Sequence, residues 1–105
     1  MDNTLTIQGF TNLDPSEIKR LEELIAKNLK KIKFKSDYND LRIELKQHKH
    51  AKEFIHEINA ILFLKQSRIR AETSDKNIYK ALQNVFDKLL AEIEHKNKKF
   101  NSRTK

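Results

Sequence analysis

The chain contains no cysteine, which excludes disulfides and thiolate metal sites and gives no reason to expect an oxidising compartment. A cytoplasmic location follows as the default. Glycine and proline each occur once, as Gly9 and Pro15, and one glycine cannot build a phosphate-cradling loop or a nucleophile elbow. No stretch approaches the ~20 apolar residues of a membrane span. The start, Met1-Asp2-Asn3-Thr4, lacks the basic opening and apolar run of a signal peptide. No Ser-His-acid pattern is present and the carboxylates are scattered among lysines, so the chain reads as a non-enzyme without cofactor, small-molecule substrate or membrane partner. With 105 residues, 37% hydrophobic and 35% charged, it fits one domain around one modest core.

What is abundant is positive charge, and its placement matters more than its total of +7. Three acid-free windows, residues 27–35, 46–52 and 96–105, hold 13 of the 22 lysines and arginines. The remainder of the chain has 9 basic against 15 acidic residues. Charge that only confers solubility is better mixed; segregation of this kind fits an anionic partner, nucleic acid before an anionic surface.

Residues 4–10 alternate Leu5 and Ile7 with Thr6 and Gln8, the period of a half-buried strand, and Gly9 closes it. Asp14-Pro15-Ser16-Glu17 then carries a cap, a first-turn proline and a capping-box acid. The helix they open has Ile18, Leu21, Leu24, Ile25, Leu29 and Ile32 on one stripe and is expected to end near Lys33. Leu41, Ile43 and Leu45 alternate with charges over residues 40–46, a second strand, and a polar turn is expected over 47–52. The third strand sets Phe54, His56, Ile58, Ala60, Leu62 and Leu64 against Ile55, Glu57, Asn59, Ile61 and Phe63. After Lys65-Gln66-Ser67, a fourth strand alternates Ile69, Ala71 and Thr73 with Arg68, Arg70 and Glu72. Ser74 and Asp75 are expected to cap a second helix running from Ile78 to about Lys96, and residues 97–105 are expected to form a basic disordered tail after a domain of residues 1–96. The result is an α+β fold of order β-α-β-β-β-α: a four-stranded mixed sheet with both helices packed on one face, in the manner of a double-stranded RNA-binding domain (dsRBD-like).

This element order, together with the segment Ala71-Glu72-Thr73-Ser74-Asp75-Lys76-Asn77-Ile78-Tyr79-Lys80-Ala81-Leu82, resembles the ribosome hibernation promoting factor family, also called ribosome-associated inhibitors. Asp87-Lys88-Leu89 is similar to that family's Asp-Lys-Leu, and Lys31-Ile32 followed by Phe34 is similar to its Lys-Leu before an aromatic. The resemblance spans residues 4–99. It implies a short-form member that sits in the decoding region of the small ribosomal subunit, contacts ribosomal RNA (rRNA) through basic residues and stops translation in quiescent cells. Where the family continues with arginine and lysine after Asp-Lys-Leu, this chain has Leu90-Ala91-Glu92-Ile93-Glu94.

The candidate RNA-binding residues are Lys27, Lys30, Lys31, Lys33 and Lys35 at the end of the first helix, and Lys46, Lys49 and Lys52 between strands two and three. Arg68 and Arg70 on strand four, with Lys88 and Lys96 on the second helix, complete the set. Each has a plain counterpart: a solvated helix face, an exposed turn, or cross-strand ion pairs with Glu44, Glu57 and Glu72. His48 and His50 lack a third ligand and read as no metal site, and His56 reads as structural. Ile55, Ile61 and Phe63 are unusual on an uncovered face. Weak self-association or a partner would cover them, or a register shift or bulge would return them to the core. The competing readings of the whole chain are a general double-stranded RNA binder and a dimerising, non-RNA interaction protein.

Overall fold

The computed structural model describes residues 4–10 and 13–103, with side chains throughout except at His50 and residues 97–103. Six elements follow one another as β1 (Thr4–Gln8), α1 (Pro15–Lys35), β2 (Asp40–His50), β3 (Glu53–Phe63), β4 (Arg68–Asp75) and α2 (Ile78–Arg103). The sheet order is β1-β2-β3-β4, with β1 parallel to β2 and the other pairs antiparallel. The architecture is the one expected from periodicity.

Alternation decides which side of each strand is buried. Leu41, Ile43 and Leu45 of β2, Ile58, Ala60 and Leu62 of β3, and Ile69 and Ala71 of β4 lie under the helices. Against them pack Leu21, Ile25 and Ile32 of α1, and Leu82, Val85, Phe86 and Leu89 of α2. Each fully buried aliphatic side chain contributes roughly 1.5–3 kcal/mol relative to exposure, so this single layer carries most of the stability. β1 is covered less well. Its Leu5 and Ile7 point to the helix side but keep 40% and 39% exposure, against an open apolar groove bounded by Ile18, Leu21, Ile25 and Leu29.

The helix starts follow local chemistry. Pro15 occupies the first turn of α1 and Glu17 accepts the Asp14 amide at 3.3 Å. For α2 the cap is Asn77, whose Oδ1 accepts the amides of Tyr79 (2.9 Å) and Lys80 (3.3 Å). Ser74 and Asp75, the expected caps, belong to β4 instead, and Asp75 Oδ1 accepts the Asn77 amide at 2.9 Å.

Three boundaries depart from expectation. The segment expected as a polar turn over residues 47–52 is mostly strand: β2 runs on to His50, β3 starts at Glu53, and the pairing continues without interruption from Asp40↔Phe63 to His50↔Glu53. Polar side chains are compatible with a two-stranded ribbon that projects past its covering helices, which is why Phe54, expected in the core, is 55% exposed and His56 is half-buried. The helix α1 reaches Lys35 and α2 reaches Arg103, past the expected end near Lys96. Residues 97–103, expected as a disordered tail, are helical; they contain no glycine or proline to stop the helix. Residues 104–105 of that tail lie outside the described residues.

The helices are tied along their length by polar contacts as well as by packing. Arg20 lies over the Tyr79 ring at 4.6 Å, Asn28 and Gln83 exchange amide hydrogen bonds at 3.1 and 3.2 Å, and Lys35 pairs with Glu94. Since both numbers rise together, the helices run parallel. Asn28 is fully buried and also donates to the Leu24 carbonyl at 2.9 Å, so a polar side chain at the core is fully partnered.

Three stability outcomes follow, each readable by urea unfolding. Gly9 has φ +87°, and a Cβ there would stand 2.1 Å from the Leu45 carbonyl oxygen; Gly9→Ala is expected to cost on the order of 2–4 kcal/mol. Ala51, at φ 60° in the hairpin turn, holds a left-handed conformation that glycine adopts freely; Ala51→Gly is expected to stabilise by up to about 1 kcal/mol. Asn28→Ala removes the donor to Gln83 Oε1, while Gln83 Nε2 keeps Asp87 Oδ1 at 2.9 Å, and opens a small void, for a loss of roughly 1–3 kcal/mol. A double-mutant cycle with Gln83→Ala checks it, since additive losses would show the pair to be uncoupled.

Candidate nucleic-acid interface

The last two to three turns of α1 bring lysine to almost every direction that is not buried. At 3.6 residues per turn, Lys27, Lys30, Lys31, Lys33 and Lys35 fan over roughly 200° of the helix, opposite the stripe of Leu21, Ile25, Asn28 and Ile32. All five are exposed. Lys35 turns toward α2 and pairs with Glu94, which makes it a tie between helices. Lys27, Lys30, Lys31 and Lys33 have no ion pair or hydrogen bond among the described residues. The helix dipole favours cations in the last turn and so accounts for Lys33 and Lys35, but not for Lys27 or Lys30 further back.

Phe34 stands in the middle of this fan at 93% exposure. It was read from sequence only as a similarity to the family's aromatic, although its place two residues after Ile32, off the apolar stripe, is a signal that it does not face the core.

The remaining candidates fall into separate places. Arg68 and Lys96 lie at the same end of the domain as the α1 lysines: Arg68 pairs across from Phe63, and the Lys96 ammonium reaches the Ser67 hydroxyl at 3.3 Å. Lys65, exposed in the turn closed by the Leu64 amide on the Ser67 carbonyl (2.8 Å), joins this end and was missed from sequence because a lone lysine in a short link carries no pattern. Lys46, Lys49 and Lys52 lie toward the opposite end, on β2 and the hairpin turn, from about 20 Å (Lys46) to over ~30 Å away by the rise along β2. Lys46 is 3.8 Å from Glu44, and Lys49 stands across from the exposed Phe54. The Lys88 ammonium donates to the Glu72 carbonyl at 2.8 Å, which fastens α2 to β4.

The open face of the sheet is mixed in sign. Across it run the rows Thr6-Arg42-Ile61-Arg70 and Gln8-Glu44-Asn59-Glu72. Arg42 hydrogen-bonds Asp40 at 3.0 Å and lies over the Phe63 ring at 5.0 Å. The Thr4 hydroxyl, and secondarily Arg42, hold the Asp40 carboxyl below the usual range for aspartate. Ile55, Ile61 and Phe63 are half-buried on this face, in the expected register and without a bulge, so neither a slip nor a bulge returns them to the core. His48 faces Glu57 at 3.7 Å. The side chain of His50 lies outside the described residues.

Comparison with known proteins gives one family and a set of like folds. The family model described as sigma 54 modulation protein / S30EA ribosomal protein matches residues 10–101. No curated protein matches the chain. Among solved structures, the fold is similar to a ribosomal subunit interface protein from Coxiella burnetii, with a TM-score of 0.67 and 18% identity over 90% of this chain and 97% of that one. It is also similar to the N-terminal domain of Thermus thermophilus Protein Y, with a TM-score of 0.55 and 19% identity over 90% of this chain and 98% of that one. The sequence resemblance and the family match agree: this chain belongs to the sigma 54 modulation protein / S30EA ribosomal protein family, that of the ribosome hibernation promoting factors.

Proposed function

We propose that this protein binds the small ribosomal subunit near the decoding region and blocks translation by occupying it, with residues 1–96 acting as one unit and rRNA phosphates as the main contacts. The observation that carries the reading is the unneutralised lysine fan at the end of α1, Lys27, Lys30, Lys31 and Lys33, in a member of this family. Ammonium groups on a rigid helix follow a phosphate backbone without needing sequence-specific contacts. The name of the Coxiella burnetii structure, a ribosomal subunit interface protein, supports the same partner. Arg68, Lys65 and Lys96 extend the basic surface at that end, while Lys46, Lys49 and Lys52 form a second contact at the hairpin.

General binding to double-stranded RNA is the second reading, favoured by two parallel helices on one face of the sheet. Against it stands the start of α2, where Lys76 is held by Glu53 at 2.7 Å and Lys80 is left as a single lysine in the first turn. A shape reader of duplexes needs cations there to reach across a groove.

The test is sedimentation through sucrose gradients. The wild-type chain is expected to comigrate with small subunits at low salt and to be released steeply as salt rises, as counterion release requires. Lys30→Glu with Lys31→Glu is expected to weaken association by at least about tenfold with the unfolding midpoint unchanged. Undiminished association of that variant would remove this surface from the interface, and equal affinity for a plain RNA duplex would favour the second reading.

A further inference from the structure

We infer that Phe34 is a stacking platform for one unpaired base of the bound RNA; this rests on the proposed ribosome-binding reading and deepens it.

The ring has no structural task. At 93% exposure it buries nothing, whereas burying a phenylalanine side chain stabilises a fold substantially. The other exposed large apolar side chains among the described residues are different: Leu5 and Ile7 face the groove beside α1, and Phe54 stands in the hairpin with 55% exposure. The chain leaves α1 after Lys35, one residue past Phe34, with Ser36 in extended conformation as the cap and its amide on the Ile32 carbonyl at 2.8 Å, so the ring sits at the outer corner of a helix end.

Its neighbours define the partner. On the helix surface, the residues three, four and seven positions earlier are Lys31, Lys30 and Lys27. A protein interface core is depleted in lysine and built from several apolar groups, and here one ring stands alone among cations. A second copy would set this lysine fan against another. A lipid surface draws on an apolar face as well as on charge, and on α1 Leu21, Ile25 and Ile32 are buried on the side opposite Phe34. Single-stranded nucleic acid matches all the parts. The flat ring meets one base face, the ammonium groups neutralise the phosphates on either side, and no hydrogen-bond readout is needed. A base still stacked in a duplex does not present its face, so the contact selects an unpaired nucleotide.

The absence of tryptophan from the chain makes the test direct. Phe34→Trp introduces a single indole reporter, and Phe34→Ala removes the ring; at this exposure both variants fold as the wild type does. With isolated small ribosomal subunits as the probe, Phe34→Ala is expected to bind roughly 5- to 150-fold more weakly, with the salt dependence unchanged because no phosphate contact is lost. Phe34→Trp is expected to bind at least as well as the wild type, with its emission quenched by the stacked base. Wild-type affinity of Phe34→Ala, an unquenched indole in the complex, or a steeper loss of binding to phosphatidylserine vesicles than to subunits would each overturn the inference. If the wild type binds and Lys30→Glu with Lys31→Glu does not, such a result removes only Phe34; if the wild type itself fails to bind subunits, the functional reading falls and the inference with it.

Discussion

The arrangement depends on one buried polar contact between the helices. Asn28 lies in the core with no exposure, and its amide is satisfied by Gln83 and by the Leu24 carbonyl. A buried amide left unpaired costs about 1–3 kcal/mol, so sliding α1 along α2 by a turn is penalised in a way that sliding one aliphatic stripe over another is not. Hydrophobic contact alone is tolerant of such shifts because it has no direction. The amide pair therefore acts as a registry device for two parallel helices, and the cation over Tyr79 and the Lys35–Glu94 pair lie either side of it along the seam.

Fixing that register decides which charges remain available. With the helices parallel, both finish at the same end of the sheet, and Lys35 and Lys96 reach Glu94 and Ser67 there. Lys46, Lys76 and Lys88 are likewise engaged, with Glu44, Glu53 and the Glu72 carbonyl. Exposed pairs of this kind contribute little to stability, about 0–1 kcal/mol each, but they lower the local field. Among the described residues, Lys27, Lys30, Lys31 and Lys33 on the outer side of α1 form one run of lysines without an ion pair.

The order of elements and the core were legible because they depend on periods of two and of 3.6, which Leu41, Ile43 and Leu45 or Leu21, Ile25 and Ile32 display without ambiguity. The hairpin was not, since Gln47, His48 and Lys49 have the composition of a loop and take strand conformation only because Phe54, Ile55 and His56 pair with them across the ribbon. The cap of α2 was misplaced for a similar reason: Ser74, Asp75 and Asn77 are all good caps, and it is the length of the β3–β4 pairing that assigns Asn77. Of the site, the lysines of α1 were visible as a charge window. The separation of Lys35, which is tied, from the other four was not, because Glu94 is distant in sequence and a charge pattern contains no information about partners across the fold.

The same distinction separates the two exposed surfaces. On the open face of the sheet, Arg42, Lys46 and Arg70 are interleaved with Asp40, Glu44, Glu57 and Glu72 at strand spacing, and the guanidinium of Arg42 lies over Phe63. A polyanion approaching this face meets attraction and repulsion within a Debye length of about 8–10 Å, so little net field survives. On α1 the residues that interrupt the lysines from 27 to 35 are Asn28, Leu29, Ile32 and Phe34, none of them acidic. Three of these four turn inward. The one that does not is an aromatic ring, and a ring surrounded by cations that no carboxylate neutralises is a surface suited to a ligand that carries both flat faces and negative charge.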